Sequence, residues 1–312
     1  MFFAHAQKVV RTFSIASGGG WDYIAVNGDK LYVSHGTQVN ILDKTSGDSL
    51  GVIPNTTGVH GIAFDNSAGK GYTSNGRINN VTVFDLKTNA VLGQIAAGTN
   101  PDAIMYEPFT KTIITCNGRS QDLSVIDAGK QQVIATIPVG GKPETAVSDN
   151  AGKLYVNIED KSEIAVVDLT THTVVSRWSL APGEGPSGLA IDLATKRLFS
   201  TCDKLLMVMD ATNGKIVAQL PIGNGTDGVA FDNATKIIYA SNGEGNITAV
   251  KETDQSHYSV AATIPTKRGA RTITIDEATH TLYLPTADFE AGPPQGQRPK
   301  PIPGTFQVLV VK

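Results

Sequence analysis

The feature that most limits how this chain can fold is a unit of about 40 residues that recurs from end to end. Its clearest hairpin runs from Asn233 to Gly243 (NATKIIYASNG). Copies stand at Asn66 to Gly76 (NSAGKGYTSNG) and, more worn, at Pro108 to Gly118 (PFTKTIITCNG). Alternation and β-branched content divide each unit into four short strands. Seven stretches read as opening strands, each after a Gly- or Pro-rich turn: Asp22–Val26, His60–Phe64, Asp102–Tyr106, Glu144–Ser148, Ser187–Ile191, Asp227–Phe231 and Arg271–Ile275. Third strands close on an aspartate, as in Val81–Asp85, Leu123–Asp127, Ile164–Asp168 and Leu206–Asp210. Each of these Asp side chains is expected to accept the amides of the turn into strand four.

The chain ends divide one unit between them. Lys8–Ala16 reads as a fourth strand with nothing before it, and Phe306–Val311 as a third strand with nothing after it. If the first strand completes the last sheet, no edge is left unpaired. An open solenoid gives no reason for such a split. The expectation is an all-β chain, a single seven-bladed β-propeller over residues 7–312, with four-stranded antiparallel blades and the N-terminal strand closing the last one. A Pro/Gly-rich segment at 287–304 interrupts the final blade between strands two and three. It carries too many prolines for ladder bonds and is expected to be a mobile or partly disordered flap, whether lid, partner-binding loop or surface decoration.

Composition narrows the function. With 312 residues, 40% of them hydrophobic, the chain can bury a large core. A net charge of -3 provides no basic face of the kind nucleic acid requires. Cys116 and Cys202 are far apart and lack CxxC spacing, so they read as small buried residues. No run of about 18 apolar residues marks a transmembrane helix. Residues 1–6 end in Ala4-His5-Ala6, a pattern signal peptidase favours, without the basic and long apolar parts of a full signal. As the stub of an export signal it predicts a periplasmic or secreted protein, and as a fortuitous match a cytoplasmic one. A monomer is expected.

Leu31–Ser34, Gly71–Asn75, Leu154–Asn157 and Ile238–Asn242, with the turn Asp149–Lys153 and the strand ends Ile137–Gly140 and Leu220–Gly223, give the chain its resemblance to a known family. Over nearly its whole length it resembles the YVTN-repeat propellers, including the YncE-like proteins. That resemblance implies a seven-bladed propeller, frequently exported in bacteria or displayed on archaeal cells, serving mostly as a binding or interaction module. It also raises DNA binding, associated with the YncE-like branch, although no binding residue carries over position by position. A propeller does not by itself fix an activity.

In an antiparallel four-stranded blade, the link from strand four to the next strand one and the turn from strand two to three lie on the same edge. Two rings of residues should therefore meet on one face. The inner ring is Asp22, His60, Asp102, Glu144, Ser187, Asp227 and Arg271; the outer is His35, Asn75, Asn117, Glu159, Asp203, Asn242 and Thr286. Four inner carboxylates against Arg271 and a titratable His60 predict a negative funnel suited to a metal ion, a cationic molecule or a polyhydroxylated neutral one. Like charges would raise some carboxyl pKa values and could create a general acid or base. Alternatively, Arg271 and His60 pair with their neighbours and water fills the rest. His35 and His60, with Asp22 or Asp102, are candidate ligands for a divalent metal, without a local H-E-x-x-H motif in support. Asn75, Asn117 and Asn242 either offer amides to a ligand or serve Asn-Gly turns. Arg77 and Arg119 follow two of those turns and are expected at the rim, available to anions or carboxylates. His172, His257 and His280 fall on other edges.

The leading expectation is a ligand-binding or protein-interaction propeller acting on a small molecule or protein at an acidic mouth. A metal-dependent hydrolase, lyase or lactonase is the alternative, and single-stranded DNA binding a second. No G-x-S-x-G elbow, P-loop or dinucleotide fingerprint supports acyl transfer or nucleotide chemistry.

Overall fold

The computed structural model describes residues 7–291 and 300–312. The Ala4-His5-Ala6 pattern and the middle of the 287–304 segment lie outside the described residues. The described chain forms seven four-stranded antiparallel sheets, and the expected seven-bladed propeller is the fold. Blade 1 runs from Trp21–Asn27 to Ser49–Ile53, blade 2 from Val59–Asp65 to Val91–Ala96 and blade 3 from Pro101–Glu107 to Gln132–Pro138. Blade 4 spans Pro143–Ser148 to Thr173–Ser179, blade 5 Leu189–Asp192 to Ile216–Pro221 and blade 6 Thr226–Asp232 to His257–Pro265. Blade 7 joins Thr274–Asp276, Thr281–Thr286 and Gln307–Val311 to Val9–Ser14, with Phe13 opposite Val308. The split unit is thus healed as expected. First strands touch first strands around the whole circle, from blade 1 to blade 7 and back.

Strands two and three of each blade are covered on both faces by neighbouring blades, so they read as nearly continuous buried runs, while fourth strands alternate toward solvent. The core is a series of wedges between blades. Tyr32 of blade 1 meets Phe64 and Phe84 of blade 2, and Phe199 of blade 5 meets Phe231 of blade 6. Removing a fully buried ring such as Phe84 would cost about 3–5 kcal/mol. The tyrosines of the repeat add directional ties: Tyr155 OH donates to Ala211 O (2.8 Å) and Tyr283 OH to Lys44 O (2.9 Å), each on the next blade.

Turn chemistry follows the sequence. Asp85 Oδ1 accepts the amides of Lys87 and Thr88, Asp127 that of Lys130, Asp168 those of Thr170 and Thr171, and Asp210 that of Thr212. In the hairpin from Asn233, Lys236 takes a left-handed φ of 54°, a strained choice for a side chain. Its Nζ reaches back to Asp192 Oδ2 of blade 5 at 2.8 Å, which offsets that strain with an interblade ion pair.

Three expectations need correction. The inner strands of blades 5 and 7 start later than their sequence suggests, at Leu189 and Thr274. The amide of Arg271 turns to Gly269 O instead of the ladder, and Pro182 and Pro186 deprive the link before Ser187 of donors. In the third case, the described flanks of the 287–304 segment do make ladder bonds. Glu290 N donates to Lys300 O and Ile302 N to Asp288 O, around a Phe289–Pro301 bridge. The two bonds flank Pro301 through Lys300 O and Ile302 N, so its missing N–H is not needed. No helix of the described residues is long and apolar enough to cross a membrane.

Candidate functional site

The inner ring is set by the seams between blades. At five of them, a side chain of one blade holds the backbone carbonyl of a residue in or beside the ring position of the next. Ser74 Oγ donates to Asp102 O, Asn157 Nδ2 to Ser187 O (3.1 Å), Ser187 Oγ to Thr226 O (3.0 Å), Ser241 Oγ to Arg271 O (2.5 Å) and Thr272 Oγ1 to Asp22 O (2.6 Å). Close approach there demands glycine after some ring positions. A Cβ on Gly188 would stand 2.8 Å from Val229 N of the next blade.

Six of the seven expected ring residues carry ionisable groups into the throat, and acidic and basic types alternate along an arc from blade 6 to blade 3. Arg271 Nε donates to Asp227 Oδ2 at 2.6 Å, and its Nη2 stands 3.7 Å from Asp22 Oδ1. His60 Nδ1 is 2.6 Å from Asp22 Oδ2 and 3.7 Å from Asp102 Oδ1. The pairing of Arg271 and His60 with their neighbours is therefore realised, without exhausting the negative charge. Ser187 departs from the ring: it is buried, and its hydroxyl faces the seam toward Thr201 and Thr226.

Burial dominates the electrostatics. It pushes the Asp102 carboxyl up to about 7, with the charges of Asp22 and Asp227 adding to the rise and His60 opposing it. Burial also lifts Glu144 to about 8, helped by the Asp102 charge and opposed by Lys142. Asp227 is raised by burial against the pull of Arg271. For His60, burial alone would favour the neutral ring, but the Asp22 hydrogen bond and the nearby carboxylates raise its pKa. Two oxygens, Asp102 Oδ1 and Glu144 Oε2, are buried without a hydrogen-bond partner. Lys142 Nζ lies 3.0 Å from that Glu144 oxygen, close enough to attract but off the line a hydrogen bond requires. Near neutrality Asp102 and Glu144 can each offer or accept a proton, which suits hydrogen bonding to hydroxyls as well as acid–base work.

Most of the outer ring serves the blades. Asn75 Nδ2 donates to Asn80 Oδ1 and Thr82 Oγ1, and its Oδ1 accepts from Thr73. Asn117 is satisfied in the same way by Asp122, Ser124 and Thr115, and Asn242 by Asn246, Thr248 and Thr226. These three amides are spent inside the sheets and do not point at a ligand. The spacing of an Asn with polar residues five and seven positions on is a local signal that marks this role at Asn75 and Asn117. His35 is buried, with Nδ1 on Ser17 Oγ (2.6 Å), Nε2 on Gly19 O (3.0 Å) and its ring stacked on Phe306. It does not join His60; the groups within 4.8 Å of one another are Asp22, His60 and Asp102. Glu159 pairs with Lys142, Asp203 is exposed and Thr286 Oγ1 donates to Arg268 O. Away from this face, His257 pairs with Asp254, and His280 with Asp232 across a seam.

Above the ring a cavity of about 520 Å³ opens over blades 1 to 3, with Asp22, His60, Arg77, Arg119 and Arg271 among its walls. Arg77 and Arg119 are exposed and have no carboxylate partner among the described residues. A second compartment of about 750 Å³ lies between Trp21, Phe289, Arg268 and Glu244. Trp21 contacts Phe289 with ring centres 6.1 Å apart, and its indole N–H is buried without an acceptor. Below the ring the channel narrows to about 210 Å³ among Tyr23, Met105 and Cys116, where burial pushes the Cys116 thiol well up. Lys142, Trp21, Arg268 and Phe289 were not anticipated from sequence. Lys142 stands two positions before Glu144 in an extended link, a spacing that signals a shared side; Trp21 opens the first strand of blade 1, and Arg268 and Phe289 sit in a link and an insert with no period.

No family model matches the chain, and no curated protein does so. Among solved structures it is similar to hydrazine synthase of Kuenenia stuttgartiensis, with a TM-score of 0.76 and 16% identity over 85% of this chain and 92% of that one. At that identity the likeness extends to the seven-bladed propeller fold and no further.

Proposed function

We infer that this propeller binds a small, hydroxyl-rich molecule bearing a carboxylate or phosphate group, at the channel mouth over blades 1 to 3. One observation carries the reading: Arg77 and Arg119, free of carboxylate partners among the described residues, share a 520 Å³ cavity with His60 and Arg271. Unpaired guanidiniums facing one cavity match the planar acceptors of a carboxylate or phosphate. The volume falls in the range of small-molecule sites. Under this rim, Asp102 and Glu144 supply carboxyl groups able to donate to hydroxyls near neutral pH. The acidic funnel expected from sequence thus becomes the floor of a site whose rim is cationic. A hydrolase, lyase or lactonase at the same place would need an activated water, for which Asp22, His60 and Asp102 are the nearest candidate metal ligands.

The test is calorimetry at low salt with sugar acids, sugar phosphates, the matching neutral sugars and a short single-stranded oligonucleotide. Saturable binding of the anionic small molecules, lost in the Arg77→Ala/Arg119→Ala double variant, is expected. Equal affinity for neutral sugars, or unchanged binding by the double variant, would defeat the reading. Preference for the oligonucleotide, with affinity falling steeply with salt, would replace it with nucleic-acid binding.

A further inference from the structure

We propose that Asp22, His60 and Asp102 hold one divalent transition-metal ion in the throat of the channel. The three side chains come from the first strands of three consecutive blades, so their convergence is a product of blade packing around the axis and has no local motif. His60 Nδ1 lies 2.6 Å from Asp22 Oδ2 and 3.7 Å from Asp102 Oδ1, within the span of roughly 4 Å that two donors at about 2.0–2.2 Å from one ion can reach, the ion taking the place of the proton between His60 and Asp22.

Two of the three backbones are independently anchored. Thr272 Oγ1 holds Asp22 O at 2.6 Å, and Ser74 Oγ holds Asp102 O. Around the trio, the second oxygen of Asp22 faces Arg271 Nη2 at 3.7 Å, an outer contact that orients the carboxylate.

The second observation is Asp102 itself. Its Oδ1 is buried, accepts no hydrogen bond and points into the trio, 3.7 Å from His60 Nδ1. A buried carboxylate oxygen without a donor is costly, and such groups in native proteins call for a cause. Lys142, the other cation acting on that carboxyl, is engaged by Glu144 and Glu159. A cation seated among the three ligands would satisfy it.

One imidazole with two carboxylates suits manganese, ferrous iron or zinc; calcium and magnesium favour sites made wholly of oxygen. Three protein ligands leave coordination positions for water or an anion. Those positions face the 520 Å³ cavity, whose walls include Asp22 and His60. The site stands or falls independently of the anion reading above it.

The experiment uses the full chain, stripped with a chelator and titrated calorimetrically with manganese, zinc and magnesium chlorides in turn. Manganese is also followed by the broadening of its electron paramagnetic resonance. The expected result is one equivalent of manganese or zinc bound, with a higher melting temperature and with magnesium much weaker. His60→Gln and the isosteric Asp102→Asn should each weaken binding on the order of 100-fold. Circular dichroism of both variants checks that the blades have formed. Absence of saturable one-to-one binding by manganese and by zinc would overturn the site. So would binding that survives in folded His60→Gln and Asp102→Asn, since it would belong elsewhere.

Discussion

On the face opposite the mouth, most acidic side chains are occupied, Glu252 with one unpartnered buried oxygen being the exception. Turn amides hold the Asp85 and Asp168 carboxyls below their usual range, and the Asp192 and Asp276 carboxyls, buried against Lys236 and Lys44, also lie below it. At the mouth, Asp102, Glu144 and Asp227 are driven upward by burial, and two of their oxygens lack a hydrogen bond. Both faces are built from the same repeat and offer equivalent positions for the same residue types. The contrast therefore does not come from what a blade requires. One face spends its carboxylates on closing turns and seams, while the other leaves charge uncompensated where an external group can reach it. Such strained ionisations concentrate at functional sites.

The largest expected effect belongs to the mouth. Removing both guanidiniums in Arg77→Ala/Arg119→Ala should weaken an anionic ligand on the order of 100-fold, as expected for two charge-assisted contacts. The melting temperature should stay within about 1 °C, because surface changes away from structural partners are nearly neutral. A large fall in melting temperature would make the rim structural and erase the contrast. On the other face, Asp192→Ala leaves Lys236 without its partner in a seam where Asp192 is 1% exposed by side chain. It should lower stability by about 2 kcal/mol, or roughly 4–8 °C, and leave ligand affinity unchanged.

Glu144→Gln should act in the opposite direction. Folded Glu144 keeps its proton up to about pH 8, whereas an unfolded glutamate releases it near 4.5. Between those values the folded chain binds more protons, so this group's contribution to stability falls as pH rises through the interval and is level above it. In Glu144→Gln that part of the slope should vanish, and at pH 9 the variant should melt higher by roughly 2–4 °C. Melting curves from pH 5 to 9 decide the matter; an unaltered slope would mean that Glu144 is not the strained group. The smallest effect concerns the waist between the faces. With its thiol pushed up by burial, Cys116 should resist a small alkylating reagent in native protein and react fully after denaturation. Prompt native labelling would show that the waist admits molecules.

Much of this contrast was readable before any coordinates. The period located each first strand, and the antiparallel connectivity assigned Asp22, His60, Asp102, Glu144, Asp227 and Arg271 to one throat, because strand direction and side-chain alternation are local properties. Ser187 escaped the scheme because a hydroxyl can satisfy itself on a neighbouring carbonyl, as it does at Thr226 O. His35 escaped it because its ring rests on Phe306, a contact across the closure seam from the far end of the chain. The asparagines looked like ligand donors because Asn-Gly turns advertise an amide, while the Thr and Asn partners that absorb it sit on the next strand. Arg268 and the packing of Phe289 were hidden for a different reason: links and insertions obey no period.

Closure of the ring also has a consequence in time. Val9 pairs with Val311, so the innermost geometry of the throat cannot exist until almost the entire chain is available. Blades rich in short-range hairpins can assemble as they are made, but bringing the two ends together carries a loop-closure penalty that local pairing cannot reduce. During that interval the ring residues from blades 1 and 7 are held apart, and Thr272 has no Asp22 carbonyl to grip. Any binding at the mouth would therefore report the last event of folding, and loss of the first strand would be felt at Asp22 before it is felt in the distant blades.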